Sequence, residues 1–216
     1  NTVPWKQSCD SIKTVVIENG VATIGDDSFY GCENMTSVTL PVSVTTIGNF
    51  AFRYCGSLTS VVIPESVTNI GEGAFSDCDS LTSVTIPKSV IAIGYYAFNE
   101  CTSLTDVSIA DMDAWCQIDF GGDGANPTCY AKNIWLNGNK IVSVNVPEGV
   151  TDLKYTFYGF KDLIRVTLPK SLTGIGEGTF SNCSSLNDIT IPDGVTTIGD
   201  RAFLECSSLA SATIPG

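Results

Sequence analysis

Nine cysteines and no histidine bound the chemistry open to this 216-residue chain. A serine or cysteine nucleophile is ordinarily activated by a neighbouring imidazole, and many tetrahedral zinc sites include one. Neither arrangement is available here. A thiol can also be activated by lysine or by a helix N-terminus. However, Cys32, Cys55, Cys78 and Cys101 recur every 23 residues, and Cys183 and Cys206 repeat the interval. No short-spaced zinc motif has that spacing. Residues at one recurring position share one environment, so these six of the nine cysteines read as a buried thiol ladder beside Phe and Leu. Cys9 belongs to the same ladder in a first, partial unit. Adjacent rungs would bring Cα atoms to about 5 Å, within disulfide reach, with Cβ vectors running parallel rather than toward each other. Cys116 and Cys129 stand off the ladder and are the pair to test for a disulfide.

Oxygen ligands occur at Asp119, Asp123 and Asn126, between glycines. They lack the alternating acidic spacing and the terminal bidentate glutamate of a calcium loop, and a turn accounts for the glycines equally well. Neither a metal nor a cofactor is expected. Asn34 and Asn182 each begin a glycosylation sequon, and both matches read as coincidental.

What positions these groups is a repeat. Ile24, Ile47, Ile70 and Ile93 lie 23 apart, each followed by glycine. Phe29, Phe52, Phe75 and Phe98 follow five residues later, and Met35, Leu58, Leu81 and Leu104 after the cysteines. Ile175 and Ile198 restart the series. In Leu58–Pro64 the apolar positions of the repeat fall at 1, 4 and 6, with Val61 and Ile63 alternating with Ser60 and Val62 on the other face. That pattern predicts a short strand with one buried face, ended by a proline that cannot donate. Ala74, Phe75 and Cys78 have the spacing of one helical turn facing a core. A single unit buries too little to fold alone, so units must stack and their strands must run parallel. The expected strands are Val15–Ile17, Val38–Leu40, Val61–Ile63, Val84–Ile86, Val107–Ile109, Val144–Val146, Val166–Leu168, Ile189–Ile191 and Ala212–Ile214.

The units resemble the bacterial BspA-type leucine-rich repeats, whose pattern is approximately L-x-x-L-x-L-P-x-S-L/V-x-x-I-G-x-x-A-F-x-x-C. Leu81, Val84, Ile86, Pro87, Ser89, Val90, Ile93, Gly94, Ala97, Phe98 and Cys101 match it at every defined position. The resemblance covers essentially the whole chain. It implies an α/β repeat, a solenoid with a parallel β-sheet on its concave face and short helical turns on the return arm. It also implies an extracellular or cell-surface protein, a role in recognition or adhesion, and as partners a protein or glycan, such as host matrix or another microbial surface. Residues 1–216 are expected to form one solenoid domain, a piece of a longer array whose leader lies outside it.

The period fails once. Ile109 to Val146 is 37 residues, or 23 plus 14, and the next step, Val146 to Leu168, is 22. Residues 110–146 therefore form an enlarged repeat. Asp111 is placed to cap a short helix carrying Trp115 and Cys116. Asn137-Gly138, between Ile134-Trp135-Leu136 and Ile141-Val142, is a strong hairpin signal. An insert with an A-W-C segment and a later L-N-G is a standard variant unit of the family it resembles. In the neighbouring unit Leu153 lacks its glycine and Phe160 replaces cysteine. Trp115, Phe120, Tyr130 and Trp135 either pack a wider coil or, where one stays exposed, anchor a partner.

The outward strand positions are Thr14/Val16, Ser37/Thr39, Ser60/Val62, Ser83/Thr85, Asp106/Ser108, Ser143/Asn145, Arg165/Thr167, Asp188/Thr190 and Ser211/Thr213. They read either as a solvated hydroxyl surface or as a polar plate for a partner, with Ser60, Ser83, Thr85, Asp106, Asn145 and Arg165 as candidate contacts. The lack of aromatics argues against sugar stacking on this plate. A net charge of -12 disfavours nucleic acid and anionic membrane. No apolar run reaches membrane-spanning length. The remaining alternative to recognition is a structural spacer that holds another domain away from a surface.

Overall fold

The computed structural model describes residues 5–213. Each coil contributes a strand to a first ladder, a two-residue strand to a second, and a run of turns that closes the circuit. The first ladder stacks Thr14–Val16, Ser37–Thr39, Ser60–Val61, Ser83–Ile86, Asp106–Ile109 and Asn133–Leu136 in parallel, one coil per rung. The antiparallel strand Asn139–Lys140 closes its far edge. Beyond it, Ser143–Asn145 pairs with Arg165–Thr167, and Asp188–Thr190 with Ser211–Thr213. The expected strands are present, each starting one residue earlier; Ile214 lies outside the described residues. Asn133–Leu136 is an additional rung that the insert supplies.

The second ladder was not expected. It joins Thr23–Ile24, Thr46–Ile47, Asn69–Ile70, Ala92–Ile93 and Asp119–Phe120, then resumes as Asp152–Leu153, Gly174–Ile175 and Thr197–Ile198. The Ile-Gly pair of each repeat exists for this ladder. The N–H of Gly71 donates to the Ile47 carbonyl at 2.8 Å, and a Cβ on Gly71 would lie 2.6 Å from the backbone of Gly48 and Asn49. Only glycine lets the coils approach so closely.

The helical return arm is corrected to a series of turns. In a helix every amide bonds within its own segment. Here alternate amides leave the segment: Asp27, Phe29 and Gly31 donate to Asn49, Ala51 and Arg53 of the next coil, whereas Ser28, Tyr30 and Cys32 donate three residues back. To point successive amides in opposite directions the chain adopts positive φ twice per coil, at Asp27 and Gly31, Phe50 and Tyr54, Gly73 and Asp77, and Tyr96 and Glu100. A non-glycine residue there costs about 1–2 kcal/mol. The ladder bonds gained along the stack hold it in place.

Between the ladders, Phe29, Phe52, Phe75 and Phe98 stack with ring centroids 5.3–5.4 Å apart, and Phe157, Phe180 and Phe203 continue the motif at 5.5 and 5.4 Å. Trp5 caps the first column on Phe29 at 5.5 Å. The thiols line this core. Cys55, Cys78 and Cys101 donate to the carbonyls of Phe29, Phe52 and Phe75 in the preceding coil at 3.2–3.3 Å. Burial pushes the Cys55 thiol up to about 12, so its proton stays on sulfur at neutral pH. One rung departs from the thiol ladder: Cys9 and Cys32 are joined by a disulfide, Cα atoms 4.4 Å apart. Cys9 lies in a 3-10 turn, Lys6–Ser11, rather than in the repeated turn. Its side chain is therefore not held parallel to that of Cys32. No disulfide joins Cys116 to Cys129.

Candidate functional site

The strand face divides inside from outside as its alternation predicts. Val38, Val61, Val84, Val107, Val144, Val166 and Ile189 are buried. Ser60, Ser83, Thr85, Asn145 and Arg165 are exposed and Asp106 is half-exposed. Column by column the outer side chains repeat, and threonine hydroxyls at 36, 59 and 82 donate to the carbonyl of the preceding coil. The face is therefore a regular surface of mostly hydroxyl side chains, with Val16 and Val62 exposed among them, until it reaches the insert.

There the insert changes it. Asp111 caps the short helix Met112–Trp115, its Oδ1 accepting from the Ala114 N–H at 2.8 Å. The helix directs Trp115 into the core, and the chain then returns as Asp119–Phe120 along the second ladder. Asn137-Gly138 turns the hairpin with φ of 51° and 75°. Trp135 falls opposite Ser108 and Asn133 opposite Asp106, so an indole occupies the last rung of the hydroxyl face. The expectation of a face without aromatics is corrected on this point. The cause is the extra rung, which the 23-residue count does not contain.

Asp106 joins these residues. Its carboxylate accepts from Trp135 Nε1 at 2.8 Å, Asn133 Nδ2 at 3.1 Å and Thr105 Oγ1 at 2.7 Å. These donors, the Thr105 hydroxyl foremost, hold the carboxyl below the ordinary aspartate value. Lys140, on the returning strand, pairs with Asp162 at 2.9 Å. In the next coils, Arg165, Thr167, Asp188 and Thr190 line a shallow depression on the same kind of face.

The other candidates are placed differently. Trp115 and Phe120 are each 1% exposed and pack edge to face, centroids 5.1 Å apart. They are core, and neither is available as an exposed anchor. Tyr130 is half-buried, its hydroxyl accepting from the Glu100 N–H at 3.1 Å. Asn126 is fully buried. Its amide donates to the Tyr155 carbonyl at 2.8 Å, and its Oδ1 accepts from the Thr128 N–H at 3.0 Å. Trp115 Nε1 donates to the Thr156 carbonyl at 2.8 Å, and the Thr128 hydroxyl to that of Tyr158. Phe160, which stands in the cysteine position, meets Trp115 with centroids 6.2 Å apart. This polar seam joins the insert to the following coil where both ladders are interrupted. Nothing in the sequence distinguished Asn126 as a structural bond from Asn126 as a ligand. Among the described residues no helix is long and apolar enough to cross a membrane.

Nothing among curated proteins matches the chain. Solved structures do. A leucine-rich repeat protein from Bacteroides ovatus aligns at 23% identity over 99% of this chain and 70% of that one, with a TM-score of 0.46. The pneumococcal vaccine antigen PcpA aligns at 18% identity over 94% of this chain and 62% of that one, with a TM-score of 0.52. A leucine-rich cell surface protein from Faecalibacterium prausnitzii aligns at 25% identity over 94% of this chain and 73% of that one, with a TM-score of 0.42. The family model described as BspA type leucine rich repeat region matches in six copies, over residues 6–115 and 131–216. The stretch it leaves out, 116–130, lies within the enlarged repeat and holds Phe120 and Asn126. With its 23-residue coils, its Ile-Gly ladder and this match, the chain belongs to the BspA-type leucine-rich repeat family.

Proposed function

We propose that the chain is a non-catalytic recognition module, extracellular or on a cell surface, that binds a protein or glycan by its strand face. The carrying observation is the end of that face, where the Trp135 indole and the Asp106 carboxylate meet at 2.8 Å beside Asn133. An aromatic plane fixed by its own N–H, bordered by a carboxylate and an amide, combines apolar area with oriented polar groups at low entropic cost. The depression at Arg165 and Asp188 extends the polar surface on the other side of the hairpin. A non-catalytic reading is supported by the lack of histidine and by buried thiols whose protons are held. Host matrix proteins and glycans of other microbes are the partner classes to try first.

The test is binding of the chain to immobilised matrix proteins and to a glycan array, with Trp135→Ala and Arg165→Ala alongside. A partner lost at least tenfold on Trp135→Ala supports the reading. A partner retained by both variants places binding elsewhere. A folded chain with no partner favours the spacer, a role that the continuous core across the polar seam would also serve.

A further inference from the structure

The turn side of the coils carries a second set of aromatic side chains. Tyr95 and Tyr96 are 50% and 49% exposed, Tyr30 and Tyr54 38% and 37%. Phe50 and Tyr96 occupy the same positive-φ position two coils apart, and the residue between them in the stack is Gly73. The Phe50 ring leans over that glycine. A slot opens here, lined by Phe50, Gly73 and Tyr96 together with Ser76, Asn99, Arg53 and Glu72.

The charges of the slot decide its occupant. Arg53 is already satisfied: its Nε lies 3.3 Å from Asp77 Oδ2, its Nη2 donates to the Tyr54 hydroxyl at 3.0 Å, and its guanidinium sits 4.6 Å from the Tyr54 ring centroid and 5.6 Å from that of Phe50. Ser76 also donates to Asp77, at 2.6 Å. Glu72 has no ion pair among the described residues. What remains uncompensated is the Glu72 carboxylate, which lines the slot together with the Tyr96 ring, the Phe50 ring being already engaged by Arg53. Ring faces and a carboxylate together attract a cation, and the net charge of -12 draws basic partners toward the whole molecule. Arg53 on Phe50 and Tyr54 shows the same chemistry within the chain.

We propose that the slot between Phe50 and Tyr96 receives a lysine or arginine side chain of a basic polypeptide, with Glu72 as its counter-ion. The surface is separate from the strand face, so a failure here leaves the Trp135 reading untouched. The probe is a hexalysine peptide titrated into the full chain by calorimetry at low ionic strength. Glu72→Gln and Tyr96→Gly should each weaken binding by roughly fivefold or more, and added salt should weaken it further. Tyr96→Gly removes the ring and keeps the left-handed backbone. Glu148→Gln, an exposed acid in a distant coil, should change affinity less than about twofold, the surface-charge contribution alone. Equal losses for Glu72→Gln and Glu148→Gln would reduce the effect to net charge and overturn the proposal. So would unchanged binding in Tyr96→Gly, or displacement of the peptide by a neutral oligosaccharide. If Tyr96→Gly melts early, the comparison of Glu72→Gln with Glu148→Gln decides alone.

Discussion

The ring of Phe50 lies against Gly73 of the next coil, so that a Cβ on the glycine would sit 2.5 Å from Phe50 Cδ1 and 2.7 Å from Cε1. Tyr155 and Gly178 repeat the relationship at 2.6 Å in the later coils. Gly73 also has φ of 56°. Gly73→Ala should therefore destabilise by about 2–4 kcal/mol, adding backbone strain to overpacking. In a Phe50→Gly background the same change should cost only the backbone part, about 1–2 kcal/mol. A double-mutant cycle by denaturant unfolding checks this, and additive costs would contradict the contact.

Phe75 is fully buried in the stacked column, with Phe52 and Phe98 on its two faces. Thr85 is on the exposed strand face. Phe75→Ala should lower stability by roughly 3–5 kcal/mol through the cavity it opens. Thr85→Ala should change it by less than about 0.5 kcal/mol. Thermal unfolding of both variants tests the assignment of inside and outside, and equal shifts would refute it.

The Cys9–Cys32 disulfide ties the first turn to the next coil across 23 residues. Loop closure of this size contributes about 3 kcal/mol in the chain-entropy account. Cys9→Ser with Cys32→Ser should lose about that much, seen mainly as early melting of the N-terminal coils. Hydrogen exchange mapped along the chain would show where protection falls. Protection lost equally in the coil of Phe180 would speak against a local clamp.

Asp106 has a lowered pKa because Thr105, Trp135 and Asn133 all donate to its ionised form. The sign follows directly. A carboxyl depressed in the folded state contributes stability that is present above its unfolded value and is lost as pH falls through the folded one. Thr105→Val should raise the Asp106 pKa toward the ordinary aspartate value, and Trp135→Phe should raise it less. A carbon-13 titration of the carboxyl measures both, and identical pKa values in wild type and Thr105→Val would remove the proposed cause. Trp135 fluorescence should follow the same transition.

The repeat was legible because many positions vote for one period: Ile70, Phe75, Cys78 and Leu81 each recur, and the buried alternation at Val84 and Ile86 followed. The second ladder was not, since two residues such as Thr46 and Ile47 are too few to show a period of two. The turns were read as helix because Ala74, Phe75 and Cys78 have helical spacing. Side-chain spacing says nothing of where the amides go, and here half of them go to the neighbouring coil. Asn137-Gly138 announced its hairpin, since few dipeptides accept two positive φ values. The extra rung at Asn133–Leu136 stayed hidden behind it, and with it the meeting of Trp135 and Asp106. Residue type gave no signal at Phe50 and Tyr96, since no sequence rule places an aromatic in a left-handed turn.

The polar seam has a mechanical consequence. Identical coils share tension evenly, so a uniform spring has no preferred place to yield. Here both ladders stop together, the first at Lys140 and the second at Phe120, and restart at Ser143 and Asp152, whereas the later break of the first ladder, between Thr167 and Asp188, is spanned by the second; the bonds of Trp115, Asn126 and Thr128 cross the joint. Drawn out between two anchored ends, such a solenoid parts first at that joint, with the coils on either side still wound. The place where it yields is then set by a handful of side chains that the repeat itself does not encode.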